Sequence, residues 1–171
     1  MIDLYFNHIE PPSYEEMNKV SDISLLEEWP RGYLCGRAFL GGQIFVVDSA
    51  DFSGDHPILG FARQLNIIAH NIGKDGRPGW YADPGLEKDS RTEFDRDNDV
   101  VLISEVGRFT DTVIASGNIP LSEFLGMAER YLTTVFHHCC MLVPNLEGRR
   151  DVEEWLYDFS DAGYRPFSNL K

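Results

Sequence analysis

The chain has 171 residues, of which 43% are hydrophobic and 25% charged, the make-up expected of one soluble globular domain spanning 1–171. Asp and Glu number 28 against 15 Lys and Arg, a formal net charge of −13. That sign speaks against nucleic acid and anionic membrane as partners and suits a basic protein, although solubility alone also accounts for it.

Met1-Ile2-Asp3-Leu4 lacks the basic-then-apolar order of a secretory leader, so a cytoplasmic location is expected. No apolar run reaches the roughly 18 residues of a membrane span. Cys35, Cys139 and Cys140 are odd in number, and adjacent cysteines are strained partners for each other. Reduced thiols are the expectation.

Leu4-Tyr5-Phe6 reads as a short first strand, followed by a turn at Pro11-Pro12-Ser13. Residues 14–29 carry scattered apolar positions (Met17, Val20, Ile23, Leu25, Leu26) that fit a helix or a strand, and Trp29-Pro30-Arg31-Gly32 breaks the chain. Residues 33–39 and 43–48 flank Leu40-Gly41-Gly42, which predicts a hairpin. Its second arm, Ile44-Phe45-Val46-Val47, is apolar on both faces, as in a central strand or one covered by loops.

A first helix opens at Asp55-His56-Pro57, with Asp55 as N-cap. Its apolar stripe is Ile58, Phe61, Ala62, Leu65, Ala69 and Ile72, and Gly73 is the expected C′ residue. Arg63, Asn66 and His70 fall on the solvent side. Residues 73–90 then read as a long irregular loop carrying Trp80 and Tyr81. Loops of this length in a domain tend to be functional, and its aromatics either pin the loop or touch a partner.

A meander follows, with strands at 92–96, 99–106 and 110–116 and turns at Asp97-Asn98 and Gly107-Arg108. Gly117-Asn118 hands over to the main helix. Its stripe is Leu121, Phe124, Leu125, Ala128, Tyr131, Leu132, Val135, Phe136 and Cys139, in steps of three and four. Ile119 and Phe124 are spaced as a hydrophobic staple around Pro120 at the N-cap, with Glu123 at N3. Pro144 ends the helix. A short acidic helix over 151–159 presents Val152, Trp155, Leu156 and Phe159. Strands and helices in this order predict an α+β fold, a mainly antiparallel sheet with two principal helices packed on it.

Chemistry-bearing motifs are sparse. Asp95-Arg96-Asp97-Asn98-Asp99 begins like a calcium loop, but Val100 stands where Gly is needed and Val106 where Glu is needed. A solvated hairpin tip with a strong negative field is the better reading. His137-His138-Cys139-Cys140 offers zinc-type ligands, yet only His137 and Cys140 share a helix face. The glycines at 73, 76 and 79 follow a helix and lack the Gly-Lys-Ser/Thr of a phosphate loop. There is no Gly-x-Ser-x-Gly elbow, and the adjacent Glu pairs at 15–16, 27–28 and 153–154 read as solvated faces. No metal, cofactor or catalytic residue is assigned.

The segment Ser116-Gly117-Asn118-Ile119-Pro120-Leu121-Ser122-Glu123-Phe124-Leu125, a last meander strand running straight into an amphipathic helix, resembles the small bacterial immunity proteins of polymorphic toxin and contact-dependent inhibition systems. The likeness covers about fifty residues of the second half. It implies a cytosolic, non-enzymatic protein that blocks a cognate toxin domain by tight binding. Many such toxins are nucleases with basic clefts, which an acidic inhibitor would match. The residues themselves place the expected partner surface at Trp80 and Tyr81, as anchors, with Asp83, Glu87, Asp89, Glu93, Asp95, Asp97 and Asp99 as the charged rim. The alternative is a small cytosolic hydrolase with a pocket holding His56, His70 or Cys35. A third reading is a homodimer formed through apolar strand faces.

Overall fold

Alternation and turn chemistry divide the strands into two antiparallel sheets in the computed structural model, which describes residues 2–9, 31–40, 43–48, 56–82, 90–107 and 109–157. The first sheet holds β1 (Ile2–Ile9), β2 (Arg31–Leu40), β3 (Gln43–Asp48) and the two-residue β4 (His56–Pro57). The expected hairpin closes with Leu40 opposite Gln43. Of the two readings of its apolar second arm, the described strands do not supply a central place. Among the described residues β3 pairs with β2 alone, and β2 takes the middle, with β1 on one edge and β3 and β4 on the other. The turn at Pro11-Pro12-Ser13, the segment 14–29, the N-cap Asp55 and the helical residue Phe159 lie outside the described residues.

Helix α1 (Ile58–Asp75) leads into the second sheet, formed in the order β5 (Gly79–Ala82), β6 (Ser90–Asp97), β7 (Val100–Gly107) and β8 (Val113–Pro120). Helix α2 (Leu121–Leu142) follows β8 without a loop. A 3-10 turn at Pro144–Leu146 and the short α3 (Arg150–Tyr157) complete the described chain. All strand pairings are antiparallel. The α+β class holds, with two principal helices packed against antiparallel strands.

The core lies between α1, α2 and one face of the second sheet. Phe94, Val101, Ile103 and Ile119 supply the sheet side, and Leu59, Ile68, Ile72, Phe124, Leu132 and Val135 the helix side, all buried. Register explains the selection. Phe94 stands opposite Ile103, and Val101 opposite Ile119, so one period-two set from three strands meets the helices. The predicted stripe of α2 faces the core, with Met127 added to it and Leu121, Leu125 and Phe136 partly buried at its margin. Ser122, Glu123, Glu129, Arg130, Thr133 and His137, off that stripe, are exposed.

The C-terminal end of α1 departs from the sequence reading, and the start of α2 agrees with it. Gly73 does not stop α1; it sits inside the helix, where Leu125 of α2 comes up against it. The C′ residue is Gly76, at φ +68°, and its N–H donates to the Ile72 carbonyl at 3.1 Å. That is the single bond of a left-handed helix cap, which glycine adopts without a side-chain penalty. Pro120 does occupy the N-cap of α2, and it offers no side-chain cap. The free Leu121 N–H donates instead to the Asp99 carbonyl at 2.8 Å, fastening the β6–β7 tip to the helix start.

The polar side of α1 is used more than its pattern suggests. Arg63 Nε donates to the Trp155 carbonyl at 2.8 Å, with its guanidinium 4.7 Å from the Trp155 ring centre, tying α3 to α1. Asn66 Nδ2 donates to the Ala128 carbonyl at 3.2 Å. Of the three residues read as solvent-facing, His70 alone is exposed.

The irregular segment 73–90 also contains structure. Gly79–Ala82 is a strand because Gly79 fits beneath α1. A Cβ there would stand 2.9 Å from both Cγ atoms of Ile68, which is buried and branched at Cβ. Gly79→Ala should therefore destabilise the fold by about 1–3 kcal/mol, as overpacking does, even though alanine lowers chain entropy. A urea midpoint equal to or above that of the parent protein would show that β5 is not seated on α1.

Candidate partner-binding face

Strand β6 sorts its residues by side. Phe94 faces the helices, its ring centre 5.5 Å from that of Phe124. Arg96 follows it on the same side. Its Nη1 donates to the Ile72 and Gly73 carbonyls at 3.2 and 3.3 Å, and its Nε to the Asn98 carbonyl at 2.8 Å. A guanidinium at the C-terminal end of α1 meets carbonyls of the last turns and the negative end of the helix dipole. The cation inside the acidic run is thereby committed to the scaffold.

The carboxylates of that run are left uncompensated. Asp95, Asp97 and Asp99 are exposed, and among the described residues none of them forms an ion pair. Asp95 accepts from the Arg96 N–H at 2.8 Å, and Asp97 from Asn98 Nδ2 at 2.8 Å. The turn itself is Asn98-Asp99, one residue later than predicted, since Asp97 pairs with Val100. Asn98 takes φ +55°, a conformation that Asn tolerates better than most residues. With the Asp99 carbonyl bound to α2, the tip is held in place.

Farther along β6, Glu93 is neutralised. Arg91 Nε donates to Glu93 at 2.6 Å and its Nη2 to Asp111 at 2.8 Å. Asp111 and then Glu93 hold this guanidinium above its ordinary range. Trp80 stands opposite Glu93, on the same side of the sheet.

Of the nine predicted contact residues, the structure thus brings Trp80, Glu93, Asp95 and Asp97 onto one outer face, with Asp99 at its tip. Trp80 and Tyr81 belong to strand β5 and not to a loop; Tyr81 pairs through its backbone with Thr92. Asp83, Glu87 and Asp89 lie outside the described residues.

The outer face continues over residues that the sequence did not single out. Leu102 stands opposite Asp95 on one side and Asn118 on the other, and it is 38% exposed. Ser104 stands opposite Glu93 and Ser116. Asn118 belongs to this face because β8 runs to Pro120, four residues past its predicted end at 116. At the far end, Phe109, Val113 and Ile114 are exposed where β7 turns into β8.

The residues weighed for chemistry are dispersed. His56 pairs through its backbone with Gly32, Cys35 with Tyr5 and Asp48, and His70 is exposed on α1. His137 and His138 place their ring centres 6.3 Å apart, edge to face. Among the described residues no three His, Cys, Asp or Glu side chains are grouped to hold a metal ion, and no helix is long and apolar enough to cross a membrane.

Cys139 is fully buried, and burial, then its neighbour Cys140, pushes its thiol up to about 12. Burial and then Glu147 also raise Cys140. A thiol so raised is a packing group and not a nucleophile at neutral pH. The folded value lies above the ordinary 9.0, so the stabilising contribution is complete below pH 9 and is lost as pH rises toward about 12. A rise from 9.0 to about 12 corresponds to about 4 kcal/mol at the alkaline limit. Denaturation midpoints between pH 7 and 10.5 should fall faster for the parent protein than for Cys139→Ala; parallel curves would refute the assignment.

Compared with protein-family models, curated proteins and solved structures, the chain matches none. What the face does must be read from its own residues.

Proposed function

We propose that this chain is a non-enzymatic acidic binding protein, an immunity protein that neutralises a cognate toxin domain by occluding its basic active-site cleft. The observation that carries the reading is the β6–β7 tip, where Asp95, Asp97 and Asp99 are exposed and form no ion pair among the described residues, while the neighbouring Arg96 is bound to α1. A nuclease gathers phosphates with Lys and Arg. Carboxylates presented on a rigid tip occupy the same electrostatic niche, speed capture by steering and fix orientation. Trp80 supplies an aromatic anchor beside them, of the kind that dominates tight interfaces. The resemblance of the β8–α2 junction to immunity proteins points the same way, and a cytosolic site of action follows from it.

The test is co-purification from native extract at low and high salt, followed by expression of the retained protein. A basic domain, held stoichiometrically and captured more slowly at high salt, should arrest growth when expressed alone and be tolerated when expressed with this chain. Recovery of the chain alone, or with a small molecule, would overturn the proposal in favour of an enzyme.

A further inference from the structure

We infer that the partner also covers the outer face of β7 and β8, and that what lies there is an extended segment of a basic protein with cations along one side and an apolar side chain seated on Leu102. This rests on the preceding proposal for the sign of the partner's charge, and not for its biological role. An antiparallel sheet commonly leaves one face to water, and such faces usually carry long charged side chains. This one does not. Val100, Leu102, Ser104, Ser116, Asn118 and Pro120 are all uncharged, in a chain that is 25% charged. Short side chains lose little rotamer entropy on contact and let another backbone come close. The charge of the face is confined to β6, with Asp95 and Asp97 in one row beyond the neutralised Arg91–Glu93 pair. The face is therefore a neutral floor with an acidic wall on one side.

That polarity selects the occupant. Same-side residues of a strand repeat about every 7 Å, so the β6 carboxylates match Lys or Arg at alternate positions of an extended chain. The residues between are then free to meet the floor, where Leu102 offers apolar surface. A second copy of this chain fits poorly, because each copy carries a net charge of −13 and its own acidic row to the contact.

The experiment is an amide NMR titration of the full chain with a short synthetic peptide alternating Lys with Val and Thr. A peptide of identical composition with its lysines grouped at one end serves as control. Shift changes should run along Leu102, Ser104, Ser116 and Asn118, and binding should weaken about tenfold or more in Leu102→Asn, which removes the apolar seat without adding charge, equivalent to about 1.4 kcal/mol. Leu102 is partly exposed, so this variant should keep the parent spectrum elsewhere. Shifts confined to the Asp97–Asp99 tip, equal binding of the grouped-lysine control, equal binding of Leu102→Asn, or concentration-dependent shifts on the face without peptide would each overturn the inference. Peptide binding here without any retained toxin would sink the immunity proposal alone. A toxin bound equally by parent and Leu102→Asn would sink this inference alone.

Discussion

Phe124→Ala is expected to cost about 3–5 kcal/mol of folding stability, the usual range for emptying a buried phenylalanine site. Phe124 is fully buried. It stands at the fourth position of α2, where the staple with the buried Ile119 fixes how the chain leaves β8 and enters the helix. Its ring meets Phe94 at an interplanar angle of 34°, so it also joins α2 to the centre of the second sheet. Neither neighbour can collapse into the void. Ile119 is branched and held in the β8 ladder opposite Val101, and Phe94 is held between β5 and β7. Domains of ordinary stability hold about 5–15 kcal/mol, so the variant should lose about a fifth or more of its urea midpoint or fail to accumulate. Phe124→Leu, which retains most of the volume, should cost about 1.5 kcal/mol or less. A loss under about 1 kcal/mol for the alanine variant would mean that the junction is not packed as described.

The junction was legible in the sequence because several local signals agree there. The stripe of α2, Pro120, Pro144 and the staple all specify one helix in one place. Signals were misread where long-range contacts decide. Gly117-Asn118 looks like a turn by composition, yet it is strand, because the Asp99 carbonyl receives the Leu121 N–H and no linker is required. Gly79 lies among loop-forming residues, yet β5 forms, because Ile68 leaves room for hydrogen and nothing larger. The β3 run is apolar on both faces, a pattern that cannot say how many strands flank it; among the described residues β3 pairs with β2 alone, and β2 takes the middle. The site divides in the same way. The carboxylates of 95, 97 and 99 announce themselves by charge. That Arg96 turns away from them depends on where α1 ends. Ser104, Ser116 and Asn118 carry no charge and no periodic signal, so only the register of β7 with β8 reveals that they share a face.

Reversing Asp95, Asp97 and Asp99 to lysine, together with Trp80→Ala, is expected to abolish useful binding to the basic partner, through two effects that separate in kinetics. The carboxylates act before contact. They steer encounter, so their reversal should lower the association rate by about ten- to a thousandfold at low salt, and the deficit should shrink as salt rises. Trp80 acts after contact. Losing an aromatic anchor typically costs about 2 kcal/mol or more and appears in the dissociation rate, with little dependence on salt. The fold should tolerate the charge changes, because the three side chains are exposed, form no ion pair among the described residues, and leave the Asp99 backbone carbonyl free to hold Leu121. Trp80 is half-buried, so the urea midpoint of its variant must be measured alongside. If the aspartate reversals leave the association rate unchanged at every salt concentration, the tip does not face the partner. The net charge of −13 would then be a solubility device, and the interface would have to be sought on another side of the molecule.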